Sequence, residues 1–387
     1  MFNSQVVSGL EKHETPFYYY DIAGLTANVR ACEEASSKYN FHVHFAMKAN
    51  FNRRVLDVIQ TAGFGADCVS GGEVKKALES GFSGKSIVFA GVGKSDAEIN
   101  LALDNDIFCF NVESVQELEI INELAEKKGK RASVAIRINP NVDAHTHHYI
   151  TTGLDENKFG INSWDLPKVI DTLKASKNLE FVGIHFHVGS QITDMNVFKS
   201  LCVKVNEMQQ WFEERGVAIK VLNVGGGLGV DYHHPDQNVV VDFESYFKIF
   251  NDFLDVKPHQ EVHFELGRAL VAQSASLITR VLYLKHGIKK NFAIVDAGMT
   301  ELMRPALYQA YHKIENISDL AFSKELKSYD VVGPICESSD CFAKEIELPE
   351  LSRGDLLAIR TAGAYGEVMA SAYNLRPSIR SVYSDEI

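Results

Sequence analysis

Paired cysteines, long hydrophobic runs and an excess of positive charge are all missing from this sequence. Its six cysteines form no Cys-x-x-Cys pair, which favours a reduced, cytoplasmic protein over a disulfide-rich one. No run approaches the roughly 18 apolar residues of a membrane span. The polar first residues contain no apolar core, so we expect no secretory signal. With 39 Lys and Arg against 51 Asp and Glu, the net charge of −12 argues against nucleic acid as the main partner.

The length of 387 residues predicts two domains, because a single hydrophobic core usually stops growing at roughly 250–300 residues. In the first part, apolar β-branched runs alternate with amphipathic, helix-like stretches. The runs lie at 41–46, 65–70, 86–91, 107–112, 132–138, 181–188, 219–224 and 261–266. This alternation predicts a parallel (β/α)8 barrel of the TIM type, with a doubly wound open sheet as the alternative.

After residue 270 the pattern changes to short, β-rich runs separated by Gly, Pro and Asp. These runs predict a second, all-β domain, either a sandwich or a barrel. The early run 17–20 has no place in the (β/α)8 barrel, and we expect it to join the β domain. The predicted fold is therefore α/β plus all-β, with a barrel over 24–270 and a β domain from 1–23 and 271–387.

Polar residues and glycines lie where the predicted barrel strands end, and barrels of this type carry their chemistry at the carboxyl ends of the strands. They are Lys48, Asp67, Arg137, His187, Ser190, Gly225, Gly226, Gly227, Glu265, Gly267 and Arg268. A lysine in such a place is an amine nucleophile that can form a Schiff base with a carbonyl, above all with pyridoxal phosphate. The alternative is that Lys48 is simply solvated.

Three of these features suit a flat, phosphorylated ring. The backbone N–H groups of Gly225–Gly227 can converge on a phosphate, with Ser190 adding a hydroxyl donor; the alternative is a flexible turn. Glu265 beside a pyridine nitrogen would keep that nitrogen protonated, as decarboxylation requires; the alternative is a surface ion pair with Arg268. His187 is placed to stack on the ring, or else is a core histidine.

A histidine run offers a metal site as an alternative function for one loop. His145, His147 and His148 are possible zinc ligands, but no carboxylate or cysteine at ligand spacing completes the set. We therefore expect a solvated loop there and no metal.

The order of these motifs gives the chain a resemblance to a known family. From about residue 15 to about residue 377 it resembles the diaminopimelate decarboxylases, which are fold type III, alanine-racemase/ornithine-decarboxylase-like pyridoxal-phosphate enzymes. The resemblance rests on Phe-Ala-Met-Lys48-Ala-Asn, Gly-Ala-Asp67-Cys-Val-Ser-Gly-Gly-Glu, His187-Val-Gly-Ser190-Gln, Gly-Gly-Gly227, Glu265-Leu-Gly-Arg268, Asp296-Ala-Gly-Met, Cys336-Glu337-Ser-Ser-Asp and Gly363-Ala-Tyr365-Gly. It implies a homodimer with shared active sites that converts meso-2,6-diaminopimelate into L-lysine and CO2 with pyridoxal 5'-phosphate.

The resemblance also implies roles for individual residues. Around the cofactor it implies that Lys48 binds covalently, His187 stacks on the ring, Glu265 faces the ring nitrogen, Ser190, Gly225–Gly227 and Tyr365 hold the phosphate, and Asp67, Gly267 and Arg268 line the same site. Around the substrate it implies that Arg268, Arg304 and Tyr308 bind the carboxylate at the end that does not react, and that Tyr365 is a further substrate-binding residue. Cys336 would donate a proton and Glu337 would bind the distal ammonium group, both from the partner subunit.

Other functions on the same fold remain as alternatives. Arg304 with Glu337 favours diaminopimelate over ornithine, lysine or arginine, none of which has a distal carboxylate. Glu265 disfavours a racemase, because a protonated ring is a strong electron sink. A non-catalytic carrier of pyridoxal phosphate would leave Cys336, Glu337 and Arg304 unexplained. If Cys336 has no role in catalysis, we expect it to be a small buried hydrophobic residue.

Overall fold

The structure is a computed structural model that describes residues 2–139, 158–321 and 324–387. Its contacts divide the chain into two compact units. The barrel unit consists of Val29–Gly229 and Asp242–Gly267, and the sheet unit consists of Met1–Asn28, Val230–Val241 and Arg268–Ile387. The boundaries expected from the sequence, near residues 24 and 270, leave the segment 230–241 in the barrel, whereas the contacts group it with the sheet unit.

The strands and helices are numbered in chain order over the described residues. The strands are β1 (Phe17–Tyr20), β2 (His42–Ala46), β3 (Gly65–Cys68), β4 (Ile87–Phe89), β5 (Cys109–Val112), β6 (Ala132–Arg137), β7 (Leu179–His185), β8 (Val221–Asn223), β9 (Glu261–Leu266), β10 (Ala275–His286), β11 (Asn291–Val295), β12 (Ile314–Asn316), β13 (Leu326–Val332), β14 (Cys341–Pro349), β15 (Leu356–Ile359) and β16 (Arg380–Tyr383). The helices are α1 (Ser4–Leu10), α2 (Ile22–Ser37), α3 (Arg53–Thr61), α4 (Gly71–Glu79), α5 (Asp96–Asp104), α6 (Val115–Lys127), α7 (Leu166–Ala175), α8 (Asn196–Glu213), α9 (Phe243–Phe253), α10 (Arg268–Val271) and α11 (Arg304–Tyr308). Within this described part of the chain, none of the helices has the length and apolar character needed to cross a membrane.

Strands β2 to β9 form a closed parallel barrel. Each strand pairs with its successor, and β9 returns to β2, with His42 opposite His263 in the register that closes the ring. Helices α3 to α9 connect successive strands. The closed ring confirms the predicted (β/α)8 barrel and excludes the doubly wound open sheet.

Polar caps fix where several barrel strands turn into helices. The side chains of Asn52, Ser70, Ser95 and Ser114 each accept a hydrogen bond from an amide in the first turn of the helix that follows. At α5 the cap is reciprocal, because Glu98 also accepts from the Ser95 N–H. Each such cap stabilises its helix by about 1 kcal/mol. The caps therefore fix where these helices begin, and Lys48 lies in the loop that ends at the Asn52 cap.

The sheet unit is built on a mixed sheet with the strand order β12-β15-β10-β11-β13-β14. Strand β1 lies antiparallel to β10, with Phe17 opposite Ile278, and parallel to β16. The apolar side chains of these strands share a buried core that includes Leu356 and Val382. The second, β-rich domain is thus confirmed, and the early run Phe17–Tyr20 belongs to its sheet.

Candidate active site

Lys48 lies at the carboxyl end of barrel strand β2, in the 3-10 turn Met47–Ala49 that follows the strand. Its Nζ atom is 3.2 Å from Oδ2 of Asp67, which lies near the end of the neighbouring strand β3. The lysine side chain is 38% exposed, and the aspartate side chain is 1% exposed. The amine is therefore accessible to a small molecule while a buried carboxylate holds it in place.

Asp67 is a buried carboxyl with one oxygen committed to Lys48. Its other oxygen, Oδ1, has no hydrogen-bond partner within the part of the chain that the structure describes. Burial, and then the charge of Glu265, raise the pKa of Asp67 to about 6, against the opposing effect of Lys48. A buried acceptor without a partner costs about 1–3 kcal/mol. Such an atom marks a position where a bound molecule can supply a donor.

Glu265, on β9, is buried and accepts three hydrogen bonds inside the barrel. Asn111 and Asn223 donate to Oε1 at 2.9 and 2.8 Å, and His185 Nε2 lies 3.0 Å from Oε2. Burial alone would raise the pKa of Glu265, but the charge and hydrogen bond of His185, followed by the charge of Lys48, hold it below its usual value. Glu265 is therefore a buried anion and not part of a surface ion pair. A carboxylate accepts at about four lone-pair positions, so among the described residues one position remains for a further donor.

His187 follows β7 and is half-buried. The Gly226 N–H donates to its Nδ1 at 3.4 Å. Burial, followed by the charges of Arg137 and Lys48, lowers the pKa of His187 well below its usual value. The imidazole is therefore neutral, with its proton on Nε2. A neutral ring oriented by one hydrogen bond suits the predicted stacking on a flat heterocycle.

The glycines at 225–227 are required by the crowded backbone around them. A Cβ on Gly226 would lie 1.9 Å from the carbonyl oxygen of Glu265, closer than any two such atoms can approach. Gly227 has a φ of +107°, a conformation that other residues rarely adopt. The Ile192 N–H also donates to the Gly227 carbonyl at 2.9 Å. These contacts hold the segment in place, so it is not a flexible turn.

Some of the predicted phosphate donors already have partners inside the barrel. The Gly225 N–H donates to Asn223 Oδ1 at 3.0 Å, and the Gly226 N–H donates to His187. The phosphate prediction therefore depends on Gly227 and on the neighbouring segment that contains the half-buried Ser190. The last predicted cofactor residue of the barrel unit, at position 267, is a buried glycine directly after β9.

In the sheet unit, two arginines converge on one tyrosine hydroxyl. Arg268 and Arg304 donate through Nη1 to Tyr232 Oη, at 2.5 and 3.0 Å. Both arginines are 6% exposed. The guanidinium group of Arg268 also lies 4.9 Å from the ring centre of Tyr365, a residue with a φ of +56°. Two buried cations at one hydroxyl oxygen repel each other, and an anion placed between them would relieve that repulsion. We call Arg268, Arg304 and Tyr232 the arginine cluster.

His312 orients Arg304 within the arginine cluster. Its Nδ1 donates to the Arg360 carbonyl at 2.8 Å, which leaves Nε2 to accept from Arg304 Nη1 at 2.9 Å. Burial, followed by the charge of Arg304, lowers the pKa of His312 to about 3, so the ring is neutral. Helix α11 begins at Arg304 with Pro305 in its first turn, a position that proline favours. Tyr308 lies four residues after Arg304, on the same face of the helix.

Cys336 and Glu337 lie in an exposed loop of the sheet unit. The loop is built around buried Asp340, whose Oδ2 accepts from the Ile335 N–H at 2.7 Å. Glu337 Oε1 accepts from the Tyr373 hydroxyl at 2.7 Å. Within the described chain, neither Cys336 nor Glu337 is hydrogen-bonded to the arginine cluster. The expectation that a non-catalytic Cys336 would be a buried hydrophobic residue does not apply, because its side chain is exposed.

Comparison with known proteins places this geometry in a family. The family profile described as pyridoxal-dependent decarboxylase, pyridoxal binding domain, matches residues 25–272. A diaminopimelate decarboxylase of Bacteroides thetaiotaomicron is 56% identical over 97% of this chain and 96% of that protein. The chain belongs to the diaminopimelate decarboxylase family of pyridoxal-dependent decarboxylases.

Solved structures of this family have the same fold. The crystal structure of diaminopimelate decarboxylase from Helicobacter pylori complexed with L-lysine matches with a TM-score of 0.92 at 40% identity, over 99% of this chain and 94% of that one. A lysine/ornithine decarboxylase from Vibrio vulnificus complexed with putrescine matches with a TM-score of 0.85 at 23% identity, over 100% of both chains. The second match shows only that the fold is shared. The resemblance inferred from the sequence motifs is thus confirmed.

The end of the barrel suits the cofactor of pyridoxal-dependent decarboxylases. Lys48 presents an accessible amine, and Glu265 presents an anion with a lone-pair position to spare. The neutral ring of His187 belongs to the same end of the barrel, as does Oδ1 of Asp67, which has no partner among the described residues. At Gly227 a Cβ would meet the Gly189 carbonyl oxygen at 2.7 Å. These features fit a ring with a basic nitrogen, a hydroxyl and a phosphate.

Five polar residues that hold these groups have no role predicted from the sequence, namely Asn111, His185, Asn223, Tyr232 and His312. An asparagine inside an apolar strand run is a usable signal, because asparagine disfavours strands and needs buried partners. His185 stands in the same run as His187, and only the orientation of its side chain toward Glu265 distinguishes the two histidines. Tyr232 and His312 lie outside every recognised motif. The histidine run 145–148 of the zinc alternative lies outside the described residues.

Proposed function

We propose that this protein decarboxylates meso-2,6-diaminopimelate to L-lysine and CO2, using pyridoxal 5'-phosphate. The observation that carries the proposal is the convergence of Arg268 and Arg304 on the hydroxyl of Tyr232, in a chain of this family. Two converging guanidinium groups match a carboxylate. Diaminopimelate carries a carboxylate at the end that does not react, whereas ornithine, lysine and arginine carry none.

The barrel unit holds the cofactor and sets its charge. Lys48 would hold the cofactor through Nζ. Glu265, as a buried anion, would favour a proton on the ring nitrogen. When bound, pyridoxal phosphate supplies the electron sink for the electron pair that CO2 leaves behind. His187 would pack against the face of the ring, while Gly227 and its neighbours would hold the phosphate.

The sheet unit recognises the substrate. The distal carboxylate is bound by Arg268, Arg304 and Tyr308. The neutral ring of His312 orients the guanidinium group of Arg304. Glu337 binds the distal ammonium group. The Sγ–H of Cys336 then delivers a proton to the carbon that has lost CO2.

The proposal includes a homodimer in which Cys336 and Glu337 reach the active site of the partner subunit. It is supported by their exposed loop and by the absence of hydrogen bonds from them to the arginine cluster of their own described chain. It also includes a reducing, cytoplasmic location, supported by six free cysteines.

A substrate comparison tests this proposal. The holoenzyme is incubated separately with meso-diaminopimelate, ornithine, lysine and arginine, and both CO2 and the amine product are quantified. We expect equal amounts of L-lysine and CO2 from diaminopimelate, and far lower turnover of the other three. Faster turnover of ornithine or lysine than of diaminopimelate would favour a decarboxylase of another basic amino acid. No release of CO2 from any of the four substrates would exclude a decarboxylase.

A further inference from the structure

A second group of polar side chains lies in the barrel unit at the end opposite Lys48. His42 begins strand β2 and Glu261 begins strand β9, so both mark the amino-terminal end of the barrel. His263, two residues into β9, lies opposite His42 in the register, and the two rings stack with centres 4.8 Å apart. None of these residues takes part in the proposed decarboxylation.

Contacts with the protein orient the buried ring of His263. The Ser86 carbonyl oxygen lies 3.2 Å from His44 Nδ1, and His44 Nε2 lies 2.8 Å from His263 Nδ1. The second ring nitrogen of His263, Nε2, is thereby directed away from His44.

His263 Nε2 faces a carboxylate and lies 3.2 Å from Oε2 of Glu261. The His263 side chain is 5% exposed and that of Glu261 is 52% exposed, so a buried nitrogen meets an oxygen that solvent can reach. The separation of the two atoms is close to that of two ligand atoms on one zinc ion.

His42 supplies a third possible ligand nearby. One ligand atom each from His42, Glu261 and His263 can be chosen so that all lie within 4.8 Å of one another. Ligand atoms around a tetrahedral zinc ion stand about 3.3 Å apart, which the exposed side chains of His42 and Glu261 can reach by rotation. A cavity of about 370 Å³, lined by these residues together with Ser36, Lys85 and Phe108, leaves room for water as a fourth ligand.

We propose that His42, Glu261 and His263 bind a divalent transition-metal ion of the zinc class at the amino-terminal end of the barrel. Two imidazoles and one carboxylate suit Zn2+, Co2+ and Ni2+ better than Ca2+ or Mg2+. His44 and the Ser86 carbonyl act as positioning groups, because a metal-bound histidine usually donates its second N–H to a protein acceptor. The ion joins β2 to β9, the two strands whose pairing closes the barrel. Metal binding therefore stabilises the barrel and leaves the Lys48 end untouched.

Zinc titration of the holoenzyme tests this site. The protein carries no affinity tag, is freed of metal with a chelator, and is titrated with Zn2+ by calorimetry and with Co2+ by visible absorption. His42→Ala and Glu261→Gln remove one ligand each, and both side chains are exposed, so folding is preserved. His259→Ala is the matched control, because His259 is also exposed and lies near β9 in sequence. A second control replaces His145, His147 and His148 by alanine.

We expect one zinc ion per chain in the wild type and in both controls, and zinc affinity lower by more than about tenfold in His42→Ala and in Glu261→Gln. Zinc should raise the melting temperature of the wild type but not that of the His42→Ala/Glu261→Gln double variant. In the separate cobalt titration, Co2+ bound to the wild type should show the absorption pattern of tetrahedral coordination. Decarboxylation by the two single variants should equal that of the wild type. Equal zinc affinity in the wild type and in the two ligand variants overturns the proposal, as does a wild type that binds neither Zn2+ nor Co2+. Loss of zinc binding in the 145–148 variant would also overturn it, by moving the metal to that run.

Discussion

Lys48 Nζ lies 3.2 Å from Asp67 Oδ2 across two neighbouring barrel strands. The strand register makes this contact possible, because Ala46 pairs with Asp67 and the lysine follows two residues later. The carboxylate holds the amine at the mouth of the barrel, while its second oxygen has no partner within the described residues. This arrangement therefore lowers the stability of the cofactor-free protein, and a bound cofactor can remove that electrostatic cost.

The raised pKa of Asp67 predicts a pH-dependent stability. Since the pKa rises from 3.8 in the unfolded chain to about 6 in the folded protein, native stability falls as the pH rises through that interval. Asp67→Asn removes this loss and should stabilise the cofactor-free protein by up to about 3 kcal/mol at pH 8, with little effect at pH 4. Urea unfolding at both pH values measures the difference. The exposed Asp171→Asn serves as the control, and an Asp67→Asn effect that is equal at both pH values would contradict the assignment.

Glu265→Gln should reduce turnover while cofactor binding survives. The substitution keeps the shape of the side chain but removes the negative charge that holds a proton on the ring nitrogen. We expect kcat to fall by about 10²–10³-fold, the usual effect of removing one preorganised electrostatic group. Steady-state kinetics and the visible absorbance of the cofactor measure the two properties separately. The exposed Glu119→Gln is the control, and wild-type kcat in Glu265→Gln would refute the role.

Arg304→Met should change substrate preference rather than abolish chemistry. A hydrogen bond to a charged group is worth about 1.5–3 kcal/mol, so kcat/KM for meso-diaminopimelate should fall by about 10–150-fold. The rate with ornithine, which has no distal carboxylate, should stay within a few-fold of its low starting value. The control is Arg353→Met, at an exposed arginine of the same unit. If both substrates are affected equally, Arg304 does not recognise the distal carboxylate.

Mixing two inactive variants tests the shared active site. Lys48→Ala removes the cofactor attachment, and Cys336→Ala removes the proposed proton donor from the other subunit. Random re-association of the two dimers should restore about a quarter of wild-type activity, since half of the dimers are hybrids with one intact site. Mixtures that stay inactive after verified subunit exchange would place both residues in a single subunit's site.

The architecture was predictable because periodicity is local. The run at 261–266 coincides with β9, and the eight runs together gave the closed barrel. The ends of the strands were predicted less accurately. The run at 181–188 extends past β7, which ends at His185, because the neighbouring strand β8 stops at Asn223, opposite that residue. Apolar patterning continues beyond the last ladder bond, so the sequence alone cannot mark the end.

The candidate site was predictable only for residues that stand in motifs. Lys48 and Glu265 follow from their positions at strand ends, and motif order supplies Arg304. The groups that orient them do not follow, since Asn223 contacts Glu265 from a different strand, and Tyr232 belongs to a segment whose contacts lie with the sheet unit. Such partners depend on three-dimensional packing between distant parts of the chain, which no local pattern encodes.

Covalent attachment at Lys48 is the central claim, and borohydride trapping tests it most directly. The holoenzyme is reduced, digested and mapped by mass spectrometry, alongside Lys48→Ala and Lys75→Ala, a control at a lysine whose side chain is 71% exposed. We predict that the cofactor mass appears on the peptide containing Lys48 in the wild type and in Lys75→Ala, and that reduction abolishes activity. A cofactor found on another lysine, or a colourless protein that takes up no pyridoxal phosphate when it is supplied, would contradict the account.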